Sequence, residues 1–322
     1  MSISGSVSYN PIVTTIVGRS LNLLGVLSAG ASLPAEDYST GLDMLNMMVK
    51  YWQTKSIGLW TTQECILFLT SDQNIYRLGG SSPAKASTVW NVTTLVDTSG
   101  VGDTTVELTA TSDPLDLNDT MVVGDAIGFV KTNDTIFWTT ISAIASTIVT
   151  LTDALPALVE EGCQVYTYRG TLSAPLEISN VRYRDSNHNE VQVAEASRMD
   201  YDAISTKRTV STLPTQYYLE IQNGVSLLKL WPAPDSVSGT LRFSAITRID
   251  DFVNTADTAD LPQEWILPIV YNLAMYLAPI YNKELKVNTP GPGSIASIAK
   301  ESLADAKKWD AETAPTFIRP KI

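Results

Sequence analysis

Apolar residues recur with a helical period at both ends of this chain and with a period of two between them. This switch limits the fold more than any other feature. An amphipathic helix must bury its stripe against another element, and two helices at either end are too few to do so as separate pairs. The simplest solution brings both ends into one core and inserts residues 66–260 as β structure. The expected class is therefore α+β: a discontinuous four-helix domain carrying a large all-β insertion.

The helical ends can be read residue by residue. Ile12, Ile16, Leu23, Leu24 and Leu27 mark the first helix, with Pro11 suited to a first turn and Gly25 and Gly30 ending it. Leu42, Leu45, Val49 and Trp52 form one stripe along a second helix over residues 34–55, which Met44, Met47 and Met48 widen. Glu36 and Asp37 sit where the helix dipole favours negative charge. Helix returns near Pro262, with Trp265, Ile266, Ile269, Val270, Leu273, Tyr276 and Leu277 apolar. Pro268 requires either a kink or a first turn that includes it. A last helix from Ser294 to Asp310 turns Ile295, Ile298, Ala299, Ala306 and Trp309 inward.

The middle has two textures. Residues 88–170 are short Thr- and Val-rich runs punctuated by Gly, Asp, Asn and Pro, the pattern of a small sandwich or barrel. Residues 171–249 are richer in Tyr and Arg, and Asn223-Gly224 between two alternating runs predicts a tight hairpin. Ser197–Ser205 predicts one or two helical turns. The expected divisions are 1–65 and 261–312 for the helical domain, 66–87 and 171–260 for the β domain, 88–170 for an additional acidic module, and 313–322 for an extended arm.

Composition weakens several function classes. The single histidine cannot supply a multi-histidine metal site, and Cys65 and Cys163 are too far apart in sequence to form a thiolate cluster. Both read as reduced, small core residues, with a disulfide between them as the minor alternative. His188 lies in a polar turn, where general-base chemistry would need partners from elsewhere. Glu160-Glu161 and Asp250-Asp251 read as solvated turn acids rather than a glycosidase pair. Asp113, Asp116 and Asp119 lack the spacing of an EF-hand loop, and Gly79-Gly80 is not followed by the Lys-Ser/Thr of a phosphate loop. The expectation is a protein without enzymatic activity or cofactor. Residues 1–10 lack the regions of a signal peptide, and no run of about 20 apolar residues occurs, so a soluble chain made in a reducing cytoplasm is expected, with no membrane partner.

The net charge of −12 argues against a broad nucleic-acid surface. It is unevenly placed: residues 91–170 hold 11 acidic and 2 basic residues. The acidity therefore belongs to the added β module. Basic residues gather instead at Arg182, Arg184, Arg198, Lys207, Arg208 and Arg248, which reads as a contact surface for an acidic partner. Trp52, Trp265, Tyr271 and Trp309 fall on helix faces and read as packing or subunit-interface residues.

The segments Ser20–Val26, Asp43–Trp52 and Gly58-Leu59-Trp60 resemble the start of the head-to-tail adaptor family of short-tailed bacteriophages, which includes tail accessory factors and tail tubular A proteins. Leu261–Trp265, Tyr271–Ala274 and Leu277–Tyr281 extend the likeness at the other end. Arg182–Asp185, Ser197–Asp202, Pro214–Tyr218 and Leu230–Asp235 extend it through the middle, while residues 88–170 carry none of it.

The resemblance implies a ring, typically of twelve copies, under the portal protein in the neck of the virion. Such a ring extends the DNA channel, helps retain the packaged genome and passes it without sequence-specific binding. The tail nozzle or hub docks below, and tail fibres are further candidate partners. It also implies a C-terminal arm that clamps the portal, with Phe317, Ile318 and Arg319 as its docking residues. Two readings compete: a carbohydrate-binding or peptidoglycan-cleaving tail module, and a portal-independent capsid or decoration protein.

Overall fold

The structure, a computed structural model, describes residues 9–53, 62–81, 83–112, 120–249, 251–254, 262–287, 291 and 293–309, apart from the side chain of Leu285. The fold is mixed α+β, with several sheets and a large β region. By internal contacts it divides into two units, Met1–Thr61 with Ile249–Ile322, and Thr62–Arg248.

In chain order the elements begin with α1 (Val13–Leu24), α2 (Ala35–Gln53), β1 (Thr62–Phe68), β2 (Ile75–Leu78), β3 (Ala86–Ser87) and β4 (Val89–Thr94). There follow β5 (Thr105–Glu107), β6 (Ala126–Val130), β7 (Ile136–Ala145), β8 (Ile148–Leu151), β9 (Gln164–Arg169), β10 (Glu177–Arg184), β11 (Glu190–Gln192) and β12 (Ala194–Glu195). The chain continues with α3 (Arg198–Ala203), β13 (Val210–Ser211), β14 (Gln216–Gln222), β15 (Val225–Trp231), β16 (Ala233–Pro234) and β17 (Thr240–Ile246). It closes with α4 (Ile266–Leu277), α5 (Glu284–Val287) and α6 (Ile295–Trp309).

In the helical unit, α1 buries Val13, Ile16, Val17, Ser20, Leu21 and Leu24, a stripe at spacings of three and one. It ends where Gly25 takes φ 70°, its N–H donating to Asn22 O while the Val26 N–H donates to Leu21 O. Helix α2 buries Gly41, Leu45, Met48, Val49 and Trp52. Met47, expected to widen that stripe, is instead exposed, because it lies off the face shared by Leu45, Met48 and Trp52. One apolar cluster unites these residues with Trp265, Ile269, Leu273 and Leu277 of the C-terminal half, and with Val287 and Ala306.

Polar groups inside this core are satisfied and tie the helices together. Ser20 Oγ lies 2.9 Å from Ile16 O and 3.0 Å from Val270 O, linking α1 to α4. Asn272 Nδ2 donates to Pro268 O and to Ala299 O, linking α4 to α6. Pro268 falls in the first turn of α4, after a 3-10 turn at Gln263–Trp265. The N–H groups of a first turn have no helical partner, so the proline forfeits none there. Asn46 and the Phe252 peptide exchange two hydrogen bonds of 3.0 Å, holding that strand of chain on α2.

The β unit combines a sandwich with a barrel. One sheet has the order β11-β10-β17-β1-β3 and the other β12-β14-β15-β2, and Cys65, Leu67, Tyr76, Leu228, Leu241 and Phe243 share a core cluster with residues of both. In the β14–β15 hairpin, Gln222 pairs with Val225 around Asn223-Gly224, and Gly224 alone of the two turn residues takes positive φ. Helix α3 starts with a capping box, Ser197 Oγ accepting from the Asp200 N–H and Asp200 accepting from the Ser197 N–H.

The six strands β4-β9-β6-β7-β8-β5 are antiparallel throughout. Leu95 bridges Leu108, with Val96 N–H donating to Glu107 O and Thr109 N–H to Thr94 O, both at 2.9 Å. The first strand thus meets the last, and the sheet closes into a barrel without the open edge of a flat sheet. β7 has a register shift between Ile141 and Ala143, which separates its pairing to β6 from its pairing to β8. Phe129, Ile127, Leu108 and Val149 fill the interior. Outside it, Trp90, Tyr166 and Tyr168 pack on Ile66 and Phe68 of β1, whose Cys65 and Leu67 face the sandwich core. From Cys65 to Phe68, strand β1 is therefore buried on both faces.

Candidate functional site

The expected contact residues separate once their surroundings are seen. Trp52 and Trp265 are buried, with ring centroids 5.8 Å apart, and belong to the helical core. Trp309, expected inward, is 59% exposed. The buried side of α6 is carried by the small residues Ala299 and Ala306, and Ala299 O accepts a hydrogen bond from Asn272 of α4. Tyr276, expected on the apolar face of α4, is exposed as well.

Tyr271 is half-buried and lines a groove of about 460 Å³ with Tyr9, Leu23, Ile266, Leu267 and Val270. Leu267 and Tyr271 are one helical turn apart on α4 and present the same face. Arg19 stands at the groove, its guanidinium hydrogen-bonded to the Tyr9 hydroxyl and 5.6 Å from the Tyr9 ring centroid. The groove is an apolar surface with one cation held at it.

The expected arginine surface divides in the same way. Arg182 is neutralised across the sheet by Glu64 at 2.6 Å and Glu190 at 2.8 Å. Arg184 is buried, with a guanidinium nitrogen 2.8 Å from His188 Nδ1. These two therefore serve the sheet, because alternation along β10 and the turn after it surrounds them with protein groups. Arg198 is exposed and 3.7 Å from Asp202, and Arg208 is exposed. Near them the Tyr201 ring has Lys207 and Lys229 at 5.5 and 5.7 Å from its centroid. Phe317, Ile318 and Arg319 lie outside the described residues, as do Gly58-Leu59-Trp60, Asp113, Asp116 and Asp119.

Residues with conceivable catalytic roles are structurally engaged. Asp185 accepts from the Asn187 and Asn189 N–H groups and from Asn189 Nδ2. The Asn189 side-chain bond leads the effects that hold its carboxyl below the usual range. His188, exposed as expected, takes φ 65° at this turn. Burial pushes the Cys65 thiol up to about 12 and the Cys163 thiol up to about 11, so neither is a ready thiolate nucleophile. Both are free; Cys65 is a core residue, whereas Cys163 is only half-buried. Among the described residues no group of three His, Cys, Asp or Glu side chains is placed to hold a metal ion, and no helix is long and apolar enough to cross a membrane.

Sequence patterning did not point to a second concave site. Strand β2, the loop before β3, and the β6–β7 hairpin enclose a cleft of about 520 Å³. Its wall includes Ile75, Arg77 and Lys85 from one side of the chain order, and Asp134, Ile136 and Trp138 from the other. The only sequence signal was the alternation of β2, which places Ile75 and Arg77 together on its exposed face.

No protein-family model matches the chain, and no curated protein matches it. Among solved structures it is weakly similar to VP17, a capsid protein of bacteriophage P23-77, at 13% identity over 61% of this chain and 77% of that one, with a TM-score of 0.12. A complex of the two major capsid proteins of the same phage, VP16 and VP17, gives 13% identity over 57% and 82%, also at 0.12. These neighbours are phage capsid proteins, but the superposition is too poor for either to bear on this chain's function.

Proposed function

We propose that the chain is a structural, non-enzymatic head-to-tail adaptor of a tailed phage, forming a ring of typically twelve copies under the portal. In this reading the ring extends the DNA channel, helps retain the genome and offers a platform to the tail nozzle or hub. The observation that carries it joins the sequence resemblance to the packing. Leu21, Leu24, Leu45, Met48 and Trp52 from the N-terminal motifs share one core with Trp265, Leu273 and Leu277 from the C-terminal motifs. The N-terminal and C-terminal motifs of the resemblance thus share a core, and its middle motifs lie in the β structure inserted between them in the chain.

The exposed apolar groove beside Tyr271 supports self-association, since a neighbouring copy would cover surface that a monomer leaves in water. The acidic barrel is assigned no contact with DNA; its charge favours solubility and choice of partner. The arm at residues 313–322 is assigned to the portal on the resemblance alone. Electron microscopy of the intact particle tests the proposal: a neck ring with density fitting the helical unit is expected. Density for this chain only in the capsid shell, or only in tail fibres, would overturn it.

A further inference from the structure

The cleft beside Trp138 combines three kinds of recognition chemistry that residues far apart in sequence bring together. Arg77 and Lys85 line it, both exposed, and neither has a carboxylate partner among the described residues. Arg169, Arg182 and Lys229 of the same unit are by contrast matched to acids at 2.6–2.8 Å. Lys85 instead has the Tyr168 ring centroid 5.9 Å from its Nζ, which leaves its charge in place. Two unneutralised cations in one concavity attract an anionic group.

An apolar wall stands with them. Trp138 is half-buried, with Phe68 and Tyr168 at centroid distances of 5.4 and 5.2 Å fixing the indole in place. Ile75 is exposed into the same space. A fixed aromatic surface with aliphatic neighbours suits the C–H face of a sugar ring, and costs little to order because the packing already holds it.

The third component is an acceptor. Asp134 Oδ1 takes hydrogen bonds from Ser236 Oγ and the Val237 N–H, which pin the carboxylate at the cleft. A carboxylate repels a bare phosphate but accepts from hydroxyls. The whole set therefore fits a hydroxylated ring with one acidic substituent better than a simple anion. The volume of about 520 Å³ lies within the range of small-molecule sites, roughly 300–1,000 Å³.

We propose that this cleft binds an acidic sugar, with Arg77 and Lys85 on its carboxylate, Trp138 and Ile75 against its ring and Asp134 on its hydroxyls. The site is independent of the ring assignment, and its partner by chemistry is an acidic polysaccharide.

The test uses the full chain with trigalacturonic acid as probe, maltotriose as its neutral counterpart and inorganic phosphate as the bare anion. Binding is followed by calorimetry and by the indole N–H resonance of Trp138. Saturable binding of trigalacturonic acid with a shift of that resonance is expected, and weakening by about tenfold or more in Arg77→Ala/Lys85→Ala, as loss of charge-assisted bonds requires. Both replaced residues are exposed, so the variant should unfold at the same temperature as the parent. No binding at millimolar probe, equal binding by the double variant, or equal affinity for maltotriose would overturn the proposal. Equal affinity for phosphate would also overturn it, by assigning the cations to anions in general.

Discussion

Gly128 lies directly beneath the indole of Trp138: a Cβ added there would sit 2.7 Å from Cε3 and Cζ3 of the ring, and 2.8 Å from Ile136 Cγ2. The two residues face each other across β6 and β7 in register. The absent side chain is what lets the indole lie flat on the barrel, pack against Phe68 and Tyr168, and form one wall of the cleft.

Gly128→Ala should therefore destabilise the β unit by about 1–3 kcal/mol, the usual cost of overpacking. Glycine's low strand propensity partly offsets the loss but does not cancel it, because neither neighbour is a freely rotating chain end. Thermal unfolding checks the stability, and the Trp138 indole resonance checks the displacement. An unchanged midpoint would mean that the ring moves aside without strain.

Two glycines in adjacent helices should respond with opposite signs. Gly18 in α1 has open space where a Cβ would go, so Gly18→Ala should stabilise by up to about 1 kcal/mol through helix propensity. In α2 a Cβ on Gly41 would overlap Val17 Cγ1, and Val17 is fully buried. Gly41→Ala should destabilise by up to about 2 kcal/mol after the propensity gain is deducted. Adding Val17→Ala to Gly41→Ala should recover part of that loss, and a chemical-denaturation cycle over the four proteins measures the coupling.

The stripe Leu45, Val49 and Trp52 could be read from spacing alone because local periodicity dictates which face of a helix is buried. The Asn223-Gly224 turn was equally local in its position between Gln222 and Val225, although Gly224 alone takes positive φ. Trp309 shows the limit: helical spacing puts it beside Ala306, but it stands exposed at the end of α6 while Ala306 is buried. Closure of the barrel depends on Leu95 meeting Leu108, a pairing no local pattern announces. The cleft depends on Arg77 and Lys85 meeting Asp134 and Trp138, segments brought together by the packing of the barrel on β1 and by the bonds of Asp134 to Ser236 and Val237. Arg184 was read as surface because sequence gives its charge but not the turn that covers it.

Alkaline pH should erode stability. The Tyr281 hydroxyl is pushed up to about 12 by burial and by its 2.7 Å hydrogen bond to Asp37, and burial pushes Tyr217 up to about 12. Burial also raises Tyr76 and Tyr166. A tyrosine raised in the folded state binds its proton more tightly there than in the unfolded chain. Its contribution is complete below the unfolded value of about 10 and is lost as pH rises from there through the folded value. Denaturation midpoints should fall between about pH 10 and 12, and Tyr281→Phe should reduce the fall. A flat profile over that window would contradict these burial effects.

Arg184 and Arg208 should divide by role. Arg184→Ala removes a buried group that packs beside His188 and should destabilise by more than about 1 kcal/mol. Arg208→Ala alters an exposed side chain and should stay within about 0.5 kcal/mol of the parent. Chemical denaturation separates the two, and an equal loss from both would show that Arg208 takes part in folding.

The proposed ring can be probed at Leu267 without disturbing the fold. Leu267 is exposed, lines the groove with Tyr271 and lies in the first turn of α4. A carboxylate there interacts favourably with the helix dipole, by about 0.3–1 kcal/mol, so Leu267→Asp should leave the isolated protein as stable as the parent or slightly more so. The same change places a charge in an apolar contact, where its desolvation on assembly is costly even with Arg19 at the groove. Folding and assembly should therefore move in opposite directions: an unchanged or raised unfolding temperature, with loss of ring formation on the portal by light scattering and electron microscopy. Unimpaired rings would show that copies meet through another face, and a lowered unfolding temperature would show that the groove belongs to the core.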